Sequence, residues 1–224
     1  MDKNIINVAV DGPAGAGKSS ISRAAAKAIG FIYVDTGALY RTVGVNALRN
    51  GIDTKDKCAV AATLKDISVE LVFENGEQKV LLNGEDVSDE IRTPSASMAA
   101  SDVSAVPEVR AFLFDLQRDI AKKNNCIMDG RDIGTVVLPD AKIKIFLTAS
   151  AEERAMRRYK ELIRKGTQVE YKDVLDDLIK RDYNDSHREI APLKPADDGV
   201  VVDTTELNLE ESINEIIRIV KEAM

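Results

Sequence analysis

Eight residues near the start of the chain, Gly12-Pro13-Ala14-Gly15-Ala16-Gly17-Lys18-Ser19, have the types and spacing of an anion cradle, GxxxxGK[ST]. Glycines let the backbone turn its N–H groups onto a polyphosphate, the lysine reaches the terminal phosphates, and the serine hydroxyl meets Mg²⁺. Ser20 follows and counts with the phosphate-binding set. A second cluster, Asp129-Gly130-Arg131-Asp132, offers two acceptors and a forked donor in four residues. A third set is made of arginines: Arg41, then Arg154, Arg157 and Arg158, then Arg181 and Arg188 with Asp185 among them. Guanidinium suits phosphate because its planar fork matches the oxygens and never loses its charge. These types describe phosphoryl transfer, which asks for in-line positioning and positive charge and for little covalent work.

The surrounding elements place those residues where the chemistry needs them. Ile5-Ile6-Asn7-Val8-Ala9-Val10 is short, apolar and β-branched, the composition of a strand buried on both faces. After the loop, Ile21, Ala25, Ala28 and Ile29 recur at helical spacing and Gly30 supplies a stop. Strand, loop and helix therefore point the positive end of a helix dipole at the phosphates. Four more buried strands are predicted at Phe31-Ile32-Tyr33-Val34, Cys126-Ile127-Met128-Asp129, Ile143-Lys144-Ile145-Phe146-Leu147 and Val200-Val201-Val202-Asp203. In a parallel sheet their C-terminal ends open on the edge where ligands bind. Asp129 closes one such strand, the usual place for a carboxylate near Mg²⁺ and its waters. Thr36 is the expected N-cap of a helix running through Val45 and Leu48 towards Gly51, which puts Tyr40 and Arg41 one turn from the same edge. A surface charge at Arg41 and a core aromatic at Tyr40 are the plainer readings.

Between these lies a different grammar. A short helix over about 55–66 precedes Ser68-Val69-Glu70-Leu71-Val72-Phe73-Glu74, which alternates with period two. Asn75-Gly76 signals a hairpin, Lys79-Val80-Leu81-Leu82 a return strand, and Asn83-Gly84 a further turn. This antiparallel meander, roughly 68–92, reads as an insertion. Thr93-Pro94 opens a helix rich in small residues, Ser101 among them, and Pro107 opens another whose core stripe is Val109, Phe112, Leu113, Leu116 and Ile120. Arg110 falls off that stripe.

Composition sets outer bounds. The 224 residues are 44% hydrophobic and 31% charged, ordinary for one soluble α/β core with insertions. A net charge of −7 argues against a sequence-independent nucleic-acid binder, which needs a basic face. No apolar run is long enough to span a bilayer, and Met1-Asp2-Lys3-Asn4 runs straight into the first strand, so a cytoplasmic protein with no membrane partner is expected. Cys58 and Cys126 are far apart and read as thiols, with Cys126 in an apolar strand; His187 sits among charged neighbours on a solvated helix face. Zinc and a Ser/His/Asp nucleophile are excluded.

Two charged helices, about 151–165 and 171–188, lie between the fourth and fifth strands. Intrahelical pairs at Asp177–Arg181, Arg181–Asp185 and Arg157–Glu161 would account for part of their charge. Arg154, Arg157 and Arg158 share a face with only Glu161 at hand, and a surplus of guanidinium beside an anion site calls for an anion. A lid that closes on the transferring phosphates and excludes water is the reading this favours. A nucleotide switch is the competitor from another class, but it expects an NKxD segment that the chain lacks; a metabolite kinase of another kind, such as one acting on shikimate, is the nearer rival. The last helix, from about Leu209, is expected to bury Ile213, Ile216, Ile217 and Val220.

Four segments together resemble bacterial cytidylate kinases, a branch of the P-loop nucleoside monophosphate kinases. They are Asp11 to Ser19, Asp35-Thr36-Gly37-Ala38-Leu39-Tyr40-Arg41, Gly84-Glu85-Asp86-Val87-Ser88-Asp89-Glu90-Ile91-Arg92, and Asp129 to Val137. The likeness continues through Ile145 to Ala155 and Arg181-Asp182 to Ala191-Pro192-Leu193, covering essentially the whole chain. It implies a P-loop fold with a five-stranded parallel core over 1–35, 107–150 and 189–224, a nucleoside monophosphate segment over 36–106, and a lid over 151–188. It implies transfer of the ATP γ-phosphoryl to CMP or dCMP in pyrimidine nucleotide metabolism, with Mg²⁺ at Ser19 and a monomer as the default state. In the family, residues matching Ser101, Arg110 and Asp132 recognise cytosine, and those matching Thr36, Tyr40, Arg41, Asp129 and Arg131 surround the rest of the acceptor. Arg181, Asp185 and Arg188 match residues that meet sugar and phosphates on closure, and Arg157 and Arg158 would face ATP. Lys18, Arg131, Arg158 and Arg188 are the implied catalytic cations. Thr36 stands where the family often has serine, which keeps the hydroxyl and adds a methyl.

Overall fold

The computed structural model describes residues 5–74 and 77–224. The expected N-terminal run Met1-Asp2-Lys3-Asn4 and the Asn75-Gly76 turn lie outside the described residues. In chain order the elements are β1 (Asn7–Asp11), α1 (Lys18–Ile29), β2 (Ile32–Asp35), α2 (Thr36–Arg49), α3 (Lys57–Thr63), β3 (Val69–Glu74), β4 (Glu77–Leu82), β5 (Glu85–Asp86), α4 (Pro94–Val103) and α5 (Pro107–Lys123). They continue with β6 (Cys126–Gly130), β7 (Ile143–Thr148), α6 (Ala151–Arg164), α7 (Tyr171–His187), β8 (Val200–Asp203) and α8 (Leu209–Ala223). The chain divides into two compact units, one formed by residues up to Ile32 with Asn125–Met224, the other by Tyr33–Asn124.

One parallel sheet has the order β2-β6-β1-β7-β8. Its central strand β1 pairs with β6 in the register Asn7↔Cys126 to Asp11↔Gly130, and with β7 from Val8↔Ile143 to Asp11↔Phe146. Val8, Ala9, Val10, Cys126, Ile127 and Met128 are fully buried, as strands covered on both faces must be. α1 packs against β1, β6 and α8. Because all three cover it, its buried face is wider than the expected stripe: Ser22 and Ala26 join Ile21 and Ala25, while Ala28 is exposed. α8 is closed at its start by a reciprocal cap between Asn208 and Glu211. It buries Ile216, Ile219 and Val220, with the expected Ile213 and Ile217 only half-buried. Each fully buried aliphatic side chain there contributes about 1.5–3 kcal/mol.

α6 and α7 form a pair whose apolar seam, Ala155, Val174 and Leu178, also takes in Ala14 of the phosphate loop. α7 ends at His187, so Arg188 stands beyond it in extended backbone at φ −65° and ψ 143°, and not on the helix face expected. The chain folds back there, since the Leu193 amide donates to the Asp185 carbonyl at 2.8 Å. Among the described residues no helix is long and apolar enough to cross a membrane.

The second unit is built on α2, which packs against α4, β4 and α5. The small residues of α4 now have a reason. A Cβ at Gly44 would lie 2.8 Å from that of Ala99, so the two helices touch backbone to backbone. Leu39, Val43, Val60, Val103, Val109 and Leu113 fill the core. β3, β4 and β5 make the expected antiparallel meander, paired from Val69↔Leu82 to Glu74↔Glu77. Asp35, not Thr36, caps α2: its Oδ1 accepts from the Ala38 amide at 3.0 Å, and Thr36 is the first helical residue, buried. Cys58 is exposed, whereas Cys126 is buried and its thiol is pushed up to about 12 by burial, which leaves it inert.

Candidate active site

The phosphate loop leaves β1 at Gly12, where φ is +151° and an added Cβ would fall 1.9 Å from the Leu147 carbonyl oxygen. A side chain cannot be inserted there without parting the loop from β7. Pro13, Ala14 and Ala16 are buried, Gly17 is half-buried, and Gly15, Ser19 and Ser20 are exposed. Gly17 ends the loop as the N-cap of α1 and supplies no side chain to it. Among the described α-helices α1 alone has neither a side-chain cap nor an acidic residue in its first turn. Its amides and dipole are left for an anion from outside.

Lys18 is 6% exposed and its Nζ donates to the Pro13 carbonyl at 2.7 Å. Burial pushes its pKa well down, and the positive charge of Arg131 adds to this, against the partial support of Asp129; Arg181 presses in the same direction as Arg131. Three cations thus converge on one helix start. At the neighbouring strand end Ser19 Oγ donates to Asp129 Oδ2 at 2.9 Å, a hydroxyl and a buried carboxylate set together. Two hard oxygens of this kind fit a Mg²⁺ that keeps most of its waters.

Arg131 donates from Nε to Asp185 Oδ2 at 2.9 Å and from Nη1 to the Gly130 carbonyl at 3.2 Å. Arg188 donates to Asp132 Oδ1 at 3.3 Å and to the Ala191 carbonyl at 2.6 Å. The expected cluster of Asp129, Arg131, Asp132, Asp185 and Arg188 is therefore assembled, with its charges paired to one another.

The arginines of α6 do not behave as one surplus. Arg154 is buried, with Nη1 on the Ala14 carbonyl at 2.9 Å, Nε on the Ala149 carbonyl at 2.8 Å and Nη2 on Asp182 at 2.6 Å. It braces the phosphate loop and has no charge left over. Arg157 reaches Glu153 at 2.9 Å, the Thr204 carbonyl at 2.7 Å and the Thr204 hydroxyl at 3.1 Å, not Glu161. Of the three arginines Arg158 alone pairs with Glu161, at 2.7 Å, and shares it with Lys165 at 2.6 Å. Asp185, expected to meet Arg181 on its own helix, meets Arg131 from beyond β6. Helical spacing identified possible partners, but backbone carbonyls from distant turns compete for the same donors.

The second unit holds Thr36, Tyr40, Arg41, Ser101 and Arg110. Arg41 Nη2 donates to Asp35 Oδ2 at 2.7 Å, while its buried Nε has no hydrogen-bond partner. Arg110 is buried, contrary to its place off the apolar stripe, with Cζ 5.9 Å from the Tyr40 ring centre. Tyr40 packs against the unit's core, and Ser101 on α4 is half-buried. A buried guanidinium over an aromatic face is held in orientation as well as in place.

Sequence reasoning took Arg154 for a lid cation, and missed Asp35, Asp182 and above all Asp11. Asp11 ends β1, and its two oxygens accept from the amides of Ile133 and Gly134 at 2.7 and 2.8 Å. An acidic residue closing an apolar strand was the available signal, the same one that singled out Asp129.

A family model described as cytidylate kinase matches residues 8–222. Among curated relatives, a cytidylate kinase from Caldicellulosiruptor saccharolyticus is 50% identical over 214 residues, spanning 96% of this chain and 95% of its own. Another, from Carboxydothermus hydrogenoformans, is 48% identical over 215 residues, spanning 96% and 97%. Of the solved structures, an uncharacterized protein from Eubacterium ventriosum shares the fold, with a TM-score of 0.55, 13% identity and coverage of 96% and 98%. Matched over nearly its whole length by sequence, and carrying the loop, strand-end acids and arginines described here, this chain belongs to the cytidylate kinase family.

Proposed function

We propose that the chain transfers the γ-phosphoryl group of ATP to CMP or dCMP, giving ADP and the cytidine diphosphate. The observation that carries the site assignment is the geometry at the start of α1, where Gly17 supplies no side-chain cap, the Lys18 Nζ lies on the Pro13 carbonyl at 2.7 Å and the Ser19 hydroxyl meets Asp129 at 2.9 Å. The loop amides, Lys18, Ser19 and Ser20 hold the donor phosphates, with Arg157 and Arg158 on the same substrate. Mg²⁺, held through Ser19 and Asp129 with its waters, supplies charge neutralisation at the donor phosphates. An acceptor phosphate oxygen attacks the γ-phosphorus as the bond to the β-phosphate oxygen breaks. No general base is needed, because the second ionisation of a phosphate monoester lies near pH 6 (about 6). Arg131 and Arg188 exchange their carboxylate partners for substrate oxygens and carry the charge that accumulates.

Thr36, Tyr40 and Arg41 hold the acceptor's sugar and phosphate. Ser101, Arg110 and Asp132 read cytosine, with the Asp132 carboxylate accepting from the exocyclic amine where uracil would present a carbonyl. Residues 151–188 act as the lid, 36–106 as the acceptor segment, and the rest as the core. The enzyme on this reading is a cytoplasmic monomer.

The test is ADP formation with Mg²⁺ and ATP against CMP, dCMP, UMP, AMP, GMP, dTMP and shikimate. Strong stimulation by CMP and dCMP alone is the expected result. ATP binding with no stimulation by any of them would return the chain to the class of nucleotide switches.

A further inference from the structure

Asp11 takes no part in the reaction just described, yet it is among the most deliberately held groups in the first unit. Its side chain is 4% exposed at the end of β1, directly before Gly12. Its oxygens take one amide each, Oδ1 from Ile133 and Oδ2 from Gly134. Those amides open the single π-helical turn Ile133–Val137, whose preceding residue is Asp132 at φ −148° and ψ 27°, with no side-chain cap of its own.

The first amides of any helical turn lack partners within it, and the residue before the turn ordinarily supplies one. Asp132 is in that position and does not do so. The duty passes to a carboxylate 122 residues earlier, on the neighbouring strand. Such an arrangement is costly: burial pushes the Asp11 carboxyl up to about 6, with the charge of Asp132 adding to it, against the two amides and Lys18. A neutral local cap would satisfy the same amides at less expense, but it would engage the side chain of Asp132. With Asp11 doing the capping, Asp132 keeps its carboxylate for other partners, and its following peptide is clamped.

We propose that Asp11 is a positioning residue for acceptor recognition, clamping the turn that presents Asp132 and Arg131 and tying it to the first residue of the phosphate loop. The inference rests on the assignment of Asp132 to cytosine. It assigns to the phosphate-loop strand a share in choosing the acceptor base, in addition to its share in holding the donor.

Asp11→Asn tests it. The amide oxygen still accepts one N–H, but the amide nitrogen faces the other and turns the peptide away. The expected result is a rise in KM for CMP and a fall in CMP-over-UMP selectivity, each about tenfold, the worth of one charge-assisted bond. KM for ATP should stay within about twofold, since the donor phosphates meet other amides. A purely structural role would move both substrates together. Unchanged CMP parameters in a folded variant, or equal losses for ATP and CMP, overturn the proposal. Should Asp11→Asn fail to fold, Asp11→Glu keeps the carboxylate, moves its oxygens out by one methylene from the Ile133 and Gly134 amides, and is read by the same two ratios. Asp132→Asn runs alongside. If it leaves selectivity intact, the cytosine assignment falls and this inference with it; if it narrows selectivity while both other variants do not, only this inference falls.

Discussion

Two arginines of the first unit are each held by an aspartate of α7, and they differ in what else holds them. Arg154 meets Asp182 and two backbone carbonyls, and its side chain is 6% exposed. Arg131 meets Asp185 and the carbonyl of the residue before it, and its side chain is 21% exposed. Carbonyls built into the fold cannot be exchanged for substrate, whereas a carboxylate can be displaced by a phosphate that brings more charge. On the proposed function, Arg154 is therefore a brace and Arg131 a receptor. Residue type is the same in both; the surrounding acceptors decide between them.

Replacing the brace is expected to have the largest consequence. Arg154→Ala leaves Asp182 without its cation and should cost about 3–5 kcal/mol in a denaturant titration. A loss below about 1 kcal/mol would place Arg154 with the exposed pairs. Next comes the receptor: Arg131→Ala should lower turnover per folded molecule roughly 10²–10³-fold, as Lys18→Ala should, and should lower the unfolding midpoint as well, because it strands Asp185, whose side chain is 9% exposed. If Arg131→Ala instead unfolds the protein while turnover per folded molecule holds, the two arginines share one role and the comparison fails.

A third test uses the buried carboxylate outside both pairs. The Asp11 pKa rises from the ordinary 3.8 to about 6 on folding, so between those values the folded chain binds more protons than the unfolded one. Stability from this residue is full below 3.8 and is lost as pH rises through about 6, by on the order of 3 kcal/mol. Asp11→Asn should remove that downward slope; parallel pH–stability curves for the two proteins would show that the carboxylate is charged in both states. The smallest effect belongs to Arg158→Ala. Its pair with Glu161 is exposed and worth about 0.5 kcal/mol at most, so stability should hold while KM for ATP rises. No change in either would leave Arg158 as surface charge.

The parallel sheet and its helices were legible because their apolar residues repeat with periods that need no knowledge of partners. The loop from Gly12 to Ser19 was legible because backbone geometry and lysine reach impose its spacing. What escaped notice depended on contacts distant in sequence. Arg154 looked like one of three equivalent cations until the Ala14 and Ala149 carbonyls were in place beside it. Arg110 lay off its helix's apolar stripe and is buried all the same, because its guanidinium rests over Tyr40. Asp35 and Thr36 are adjacent residues of cap-forming type, and only the turn of the backbone chooses Asp35. Arg188 missed its helix because the chain reverses after His187, a reversal held by a backbone bond that leaves no mark in the spacing of side chains.

The register of β1 also governs how the chain is made. Its bond to the segment before β6, from the Ile6 amide to the Asn125 side chain, closes a separation of 119 residues, and all of Tyr33–Asn124 lies within that loop. Closing a flexible loop of that size costs roughly 4 kcal/mol in chain entropy. A second unit that condenses first, from contacts within a continuous stretch, shortens the loop before the sheet has to close it. On a ribosome β1 emerges before β6 and has to wait for it, with its Val8-Ala9-Val10 edge bare in the meantime. In the interval between the two the chain carries an unpaired apolar strand edge, the kind of surface that aggregates.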